Sequence, residues 1–151
     1  MTPERIDILV VEDNPGHALL THVALVELDP PVRYALARDG EEALNFLFAK
    51  GDYSHRSNAA PPRLVLLDLN LPLMDGKTVL RALKANPRTH DIPVVMFTAS
   101  DDEMDVAMCR LMGAADYVSK SSQVGQYIDS IRKVCRQWLS PDANGQMSLA
   151  A

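Results

Sequence analysis

The sequence predicts an α/β fold: a doubly wound parallel sheet of five strands carrying five helices on its two faces. Two observations carry that expectation. Short unbroken apolar runs, such as Leu64-Val65-Leu66-Leu67 and Val94-Val95-Met96-Phe97, alternate five times with segments of helical periodicity, and parallel neighbours need such crossover connections. The runs also lack the in-and-out alternation of a half-solvated sheet, as strands covered on both faces must. The 151 residues suit one domain with a complete core. We place it at residues 1–139, followed by a tail, residues 140–151, that has no periodicity and reads as disordered, with no output domain.

Taken in order, Ile6 to Val11 forms the first strand and runs into Glu12-Asp13. Asn14-Pro15 pairs an N-cap with a first helical residue that has no surplus donor, and Leu20, Val23, Ala24 and Leu28 give that helix a buried face. Val32 to Ala37 is the second strand. Asp39-Gly40-Glu41-Glu42 puts acids at the cap and first turn of a second helix, whose stripe is Ala43, Leu44, Leu47 and Phe48. Gly51 to Pro62 is polar and small, and reads as an exposed connection. The central strand follows at Leu64, ends on Asp68 and empties into a tight Pro/Gly loop closing at Asp75-Gly76. Lys77 to Asn86 is a third helix with Val79, Leu80 and Leu83 on one face. Val94 to Thr98 is the fourth strand, Asp101-Asp102 caps a fourth helix that stops at Gly113, and Tyr117 to Ser119 is a fifth strand ending on Lys120. The last helix, Val124 to Leu139, carries an apolar face that includes Tyr127 and Trp138.

Composition excludes several classes. At 47% hydrophobic and 23% charged residues the chain is an ordinary globular one. No apolar run approaches the roughly 20 residues that span a bilayer, and Met1 to Arg5 has no signal-peptide build, so no membrane partner and a cytoplasmic location are expected. A net charge of −5 without a basic cluster argues against a nucleic-acid surface. Cys109 and Cys135 lie in separate helical patterns with no metal-ligand spacing, and read as packing residues.

Four strands end on something polar: Glu12-Asp13, Asp68, Thr98 and Lys120. Each has an ordinary reading by itself: Asp68 as a turn or cap residue, Thr98 as a cap, Lys120 as a solvated cation. In a sheet of order 2-1-3-4-5, however, the first and third strands adjoin at the switch point, and these ends converge there. Three clustered carboxylates repel unless a cation sits among them. Mg²⁺ fits, since it takes oxygen ligands and is held by one or two protein carboxylates plus phosphate oxygens. Asp13 and Asp68 would bind directly, Glu12 through water, and the backbone carbonyl of Asn70 would add an oxygen. Lys120 and Thr98 suit phosphoryl oxygens, so the site looks built for a phosphoryl group on Asp68.

From about Ile6 to Leu139, the chain resembles the response-regulator receiver domains of two-component signalling. The residues that carry the resemblance are Glu12-Asp13, Asp68 with Leu71-Pro72-Leu73-Met74-Asp75-Gly76, Thr98 and Lys120. It implies a flavodoxin-like fold, Asp68 as phospho-acceptor, Glu12 and Asp13 as Mg²⁺ acids, Thr98 as switch hydroxyl, Lys120 as phosphate-pairing lysine and Tyr117 as switch aromatic. The Arg88 to Pro93 segment, the long loop before the Asp68 strand and Trp138 are similar to single-domain receivers that partner bacterial phytochrome-type histidine kinases. One departure stands out: such domains usually carry Pro after the lysine, joined by a cis bond, and here Ser121 follows, so that bond is either trans or strained.

The expected role is a stand-alone regulator that is not an enzyme beyond its own phosphorylation and dephosphorylation, and that signals by changed protein binding. A phosphorelay intermediate, passing phosphate to a histidine phosphotransfer protein, is the alternative. An aspartyl-phosphate phosphohydrolase of the haloacid-dehalogenase type needs a second acid two residues after the nucleophile, where this chain has Asn70. A flavin-binding protein lacks support, because Glu12 and Asp13 would repel an anion where its phosphate loop should lie. The apolar surplus of the last helix predicts a homodimer contact there.

Overall fold

The side chains of β1 (Ile8–Val11), β3 (Leu64–Leu67) and β4 (Val94–Thr98) are buried along their whole length, as strands covered on both faces must be. In the computed structural model, which describes residues 5–141 and 147–149, they are joined by β2 (Tyr34–Ala37) and β5 (Asp116–Ser119). All pairings are parallel, in the order β2-β1-β3-β4-β5. Val11 pairs with Leu67, so Glu12 and Asp68 leave the sheet side by side.

Among the described residues five helices cover the sheet, the first four as crossovers between successive strands and the fifth after β5: α1 (Pro15–Val26), α2 (Gly40–Phe48), α3 (Gly76–Lys84), α4 (Glu103–Leu111) and α5 (Val124–Trp138). Strand alternation divides the core into two layers. Leu9, Val11, Val65, Leu67 and Met96 face a cluster built with α2, α3 and Cys109 of α4. Ile8, Val10, Leu64, Leu66, Val95 and Phe97 face α1 and α5, where Tyr127, Ile131, Val134 and Cys135 are buried. Both cysteines are free and buried, as read from the sequence. The caps are side-chain carbonyls and carboxylates accepting orphan amides: Asn14 from His17 N, Asp39 from Glu42 N, and Asp102 from Met104 and Asp105 N. Asp75 does the same for Thr78 N, a cap the sequence reading placed in the preceding loop.

Four expectations change. The face of α1 is turned from the one expected: Thr21, Ala24 and Leu25 are buried, while Leu20 and Val23 are only partly so. Thr21 is tolerated there because its hydroxyl donates to the carbonyl of His17 at 2.9 Å. Gly51 to Pro62 is not simply an exposed connection, since Gly51–Arg56 forms a 3₁₀ helix. Arg56 is buried with its guanidinium 4.2 Å from the centre of the Phe46 ring, and Arg88 donates to the carbonyls of Leu47, Arg56 and Ser57. The apolar surplus of α5 is absorbed within the chain. Tyr127 is 1% exposed and Trp138 packs against the same cluster, so among the described residues only Val124 leaves a large apolar group of α5 in the open. Finally, the tail expected to be without order contains β6 (Leu139–Pro141) and β7 (Met147–Leu149), paired antiparallel; the rest of that expectation, residues 142–146 and 150–151, lies outside the described residues. Among the described residues the cis peptide bond is Asp29–Pro30, so Lys120–Ser121 is trans.

The turn after β3 brings α3 back against the strand it has just left. A Cβ on Gly76 would lie 2.2 Å from the carbonyl oxygen of Asp68 and 2.8 Å from Leu69 Cα, both backbone atoms with nowhere to move. Gly76→Ala should therefore destabilise the fold by about 2–3 kcal/mol, read as a fall in the urea midpoint with an unchanged slope.

Candidate functional site

Parallel strands deliver their C-terminal ends to one edge, and the crossover order makes β1 and β3 neighbours there. Glu12 and Asp13 follow β1, and Asp68 follows β3. Each offers a carboxylate oxygen, and the three oxygens lie within 4.8 Å of one another. Glu12 and Asp68 are 4% and 6% exposed, too little for water to screen their repulsion, whereas Asp13 faces solvent.

The charge is offset by Lys120, one residue beyond β5. Its Nζ donates to Asp68 Oδ2 at 2.7 Å, to Glu12 Oε1 over a short contact, and to Nδ1 of His17 at 3.0 Å. Backbone amides complete the acceptors: Asn14 N–H donates to Glu12 Oε2 at 3.2 Å, and Asn70 N–H to Asp68 Oδ1 at 3.2 Å. Burial holds the Glu12 carboxyl above the usual carboxylate range, with the Lys120 contact pulling the other way.

Thr98 is fully buried at the end of β4, and its carbonyl accepts from Lys120 N–H at 2.7 Å. That bond ties the lysine backbone to the strand carrying the hydroxyl. Tyr117 stands to one side of the acids, its hydroxyl donating to the carbonyl of Ser100 at 2.8 Å. Ser100 Oγ in turn donates to Asp105 Oδ2 at 2.7 Å, and Lys77 holds the same carboxylate at 2.6 Å. A chain of contacts thus runs from the loop after Thr98 to α3, α4 and β5. The structure brings Glu12, Asp13, Asp68 and Lys120 together, with Asn70 in the adjoining turn, Thr98 at the neighbouring strand end and Tyr117 outside.

Sequence reasoning missed His17. Its signal was position: three residues after the Asn14 cap and four before Thr21, it falls on the face that α1 turns inward. Its ring sits 5.4 Å from that of Tyr127, which meets Phe97 edge-on at 5.0 Å. The Lys77–Asp105 pair was missed too, because it joins helices 28 residues apart. The loop between Asp68 and α3 carries Leu73 at φ 69° and 97% exposed, a left-handed conformation that costs a side-chain-bearing residue about 1–2 kcal/mol.

An all-oxygen set of three carboxylates, two of them nearly buried, fits a hard divalent cation. A doubly wound sheet that gathers such acids and a lysine at its switch point defines a receiver class of signalling domain. Residues 8–132 match the response regulator receiver domain model, and the chain belongs to that family. It is 35% identical over 132 residues to response regulator Rcp1 of Synechocystis sp., covering 87% of this chain and 88% of that protein. The phosphorylated cyanobacterial phytochrome response regulator RcpA superposes with a TM-score of 0.82 at 34% identity, over 89% of this chain and 94% of that one. The Mn²⁺-bound form of Rcp1 gives 0.84 at 32% identity, over 98% and 100%. The chain is thus a receiver-domain response regulator related to phytochrome response regulators. No helix among the described residues is long and apolar enough to cross a membrane.

Removing the ammonium would leave two buried carboxylates facing each other. Lys120→Met should cost about 3–5 kcal/mol in the presence of a chelator. Thermal melts should recover more on adding Mg²⁺ to the variant than to the parent, because the lysine no longer competes for Glu12 and Asp68.

Proposed function

We propose that the protein accepts a phosphoryl group on Asp68 from a phosphohistidine of a sensor histidine kinase, and that a phytochrome-type kinase is the donor. The observation that supports this is the Asp68 carboxylate, fixed between an Asn70 amide and the Lys120 ammonium beside two further acids. In the transfer, an Asp68 oxygen bonds to phosphorus as the P–N bond to the imidazole breaks; the bonding pair leaves with the nitrogen, which takes a proton. Lys120 pairs with a phosphoryl oxygen and offsets the growing charge. A Mg²⁺ held by Glu12, Asp13, Asp68 and the Asn70 carbonyl would neutralise phosphoryl oxygens when bound. The phytochrome assignment draws on RcpA, which is a phytochrome response regulator.

Thr98 supplies the switch. Its hydroxyl takes up a phosphoryl oxygen, the loop through Ser100 follows, and Tyr117 loses the carbonyl that now holds its hydroxyl. The face of α4, β5 and α5 changes shape, and binding to a downstream protein changes with it. On this reading the chain is a cytoplasmic messenger that catalyses only its own phosphorylation and dephosphorylation.

We place the homodimer contact in the last-helix region, on different ground from an apolar helix face. Two-stranded ribbons are marginal alone, and β6–β7, directly after α5, offers main-chain edges for a second copy to pair with.

Intact mass after incubation with acetyl phosphate and Mg²⁺ should show one phosphoryl adduct, lost in Asp68→Asn and with chelator; an adduct that survives Asp68→Asn would sink the assignment. Sedimentation should show a dimer that dissociates when residues 140–151 are deleted, and a monomer at high concentration in both phosphorylation states would remove the dimer.

A further inference from the structure

A lysine ammonium carries three protons to donate. In this site all three have acceptors: Glu12 Oε1, Asp68 Oδ2 and His17 Nδ1. We propose that His17 is a positioning residue for the phosphate-pairing lysine, a neutral third acceptor that holds the Lys120 head in line with Asp68. The inference rests on the phospho-acceptor reading above.

The lysine stem has four rotatable carbons and fixes nothing by itself. Its two carboxylate partners both lie on the strand side of the pocket, at the ends of β1 and β3, so the ammonium could still pivot about the line between them. His17 approaches from the first turn of α1 and supplies a third, non-collinear anchor. Its own place is fixed on two sides. Its N–H is bonded to the Asn14 cap at 3.0 Å, and its ring lies against Tyr127, which is buried on Phe97. An imidazole also suits the task electrostatically. A fourth carboxylate here would deepen the negative charge and hold the ammonium back from an incoming phosphoryl group, whereas neutral Nδ1 takes the proton without adding charge. Because Nδ1 accepts, the ring carries its proton on Nε2.

When the phosphoryl group forms on Asp68, Lys120 must redirect one proton to a phosphoryl oxygen. The bond to His17 does not involve Asp68, the reacting carboxylate, and can persist through that exchange.

The test uses the full chain with acetyl phosphate and Mg²⁺, following adduct growth by intact mass in His17→Ala, His17→Asn and His17→Gln. Asn places its oxygen on Cγ, where His carries Nδ1, and Gln does not. His17→Ala should lower the maximal phosphorylation rate roughly tenfold, the value of one hydrogen bond to a charged group, with the half-saturating donor concentration unchanged. Asn should recover most of the rate and Gln should not. Nitrogen NMR of the unsubstituted protein should show His17 with Nδ1 unprotonated, and its signal should move in Lys120→Met. The idea falls if Ala reacts at the parent rate, if Asn is no better than Ala, or if Nδ1 carries the proton. Asp68→Asn runs alongside: an adduct that persists there overturns the acceptor assignment, whatever the His17 variants do.

Discussion

The structure depends on one buried ammonium. Lys120 neutralises, at hydrogen-bond distance, two carboxylates that leave adjacent strands less than a tenth exposed. Without it Glu12 and Asp68 would repel each other where water screens little, and the edge of the central sheet would splay or take up protons. On the proposed phospho-acceptor reading, the cost of burying these charges is what would make the site responsive. A pocket whose ions are closely matched can be redistributed by one added group, and a phosphoryl group brings both charge and acceptors. An apolar edge would be more stable and would have nothing to redistribute.

That arrangement follows from topology. Parallel strands put all their C-terminal ends on one side, and the order β2-β1-β3-β4-β5 makes the first and third neighbours although more than fifty residues separate them. Lys120 then arrives from β5 two strands away. Its reach is set by the bond between its backbone amide and the Thr98 carbonyl, so the ion that neutralises the acids is registered to the strand that carries the Thr98 hydroxyl. In the proposed switch, movement of Thr98 toward a phosphoryl group would therefore be linked to movement of Lys120. The second link, from Ser100 through Asp105 to Lys77, gives the same loop a hold on α3 and α4.

Much of this was legible in the chain, for a physical reason. Strands buried on both faces must be apolar throughout, so Glu12, Asp68, Thr98 and Lys120 stood out as polar full stops at their ends, and the caps at Asn14, Asp39 and Asp102 needed only local hydrogen bonding. What was hidden depends on contacts between distant segments. Arg88 grips the carbonyls of Leu47, Arg56 and Ser57, and no periodicity in Gly51 to Pro62 could reveal that. Tyr127 and Trp138 looked surplus because the area α1 covers is not written in the sequence of α5. The strands β6 and β7 were hidden because three-residue strands fall below what alternation can register.

His17 was concealed by Thr21. A hydroxyl in the middle of a helical face interrupts the apolar pattern, and apolar spacing alone runs through Leu20, Val23, Ala24 and Leu28. Once Thr21 satisfies itself on the carbonyl one turn back, it counts as a buried residue. The stripe then runs through His17, Thr21, Ala24 and Leu28, and its N-terminal member is carried to the open end of the sheet. The same small rotation of α1 that packs Ala24 and Leu25 into the core thus aims an imidazole at Lys120. Packing and chemistry are coupled through one helix: a change in the α1–α5 contact would be felt at the lysine, because Tyr127 of α5 carries the ring that holds its third proton.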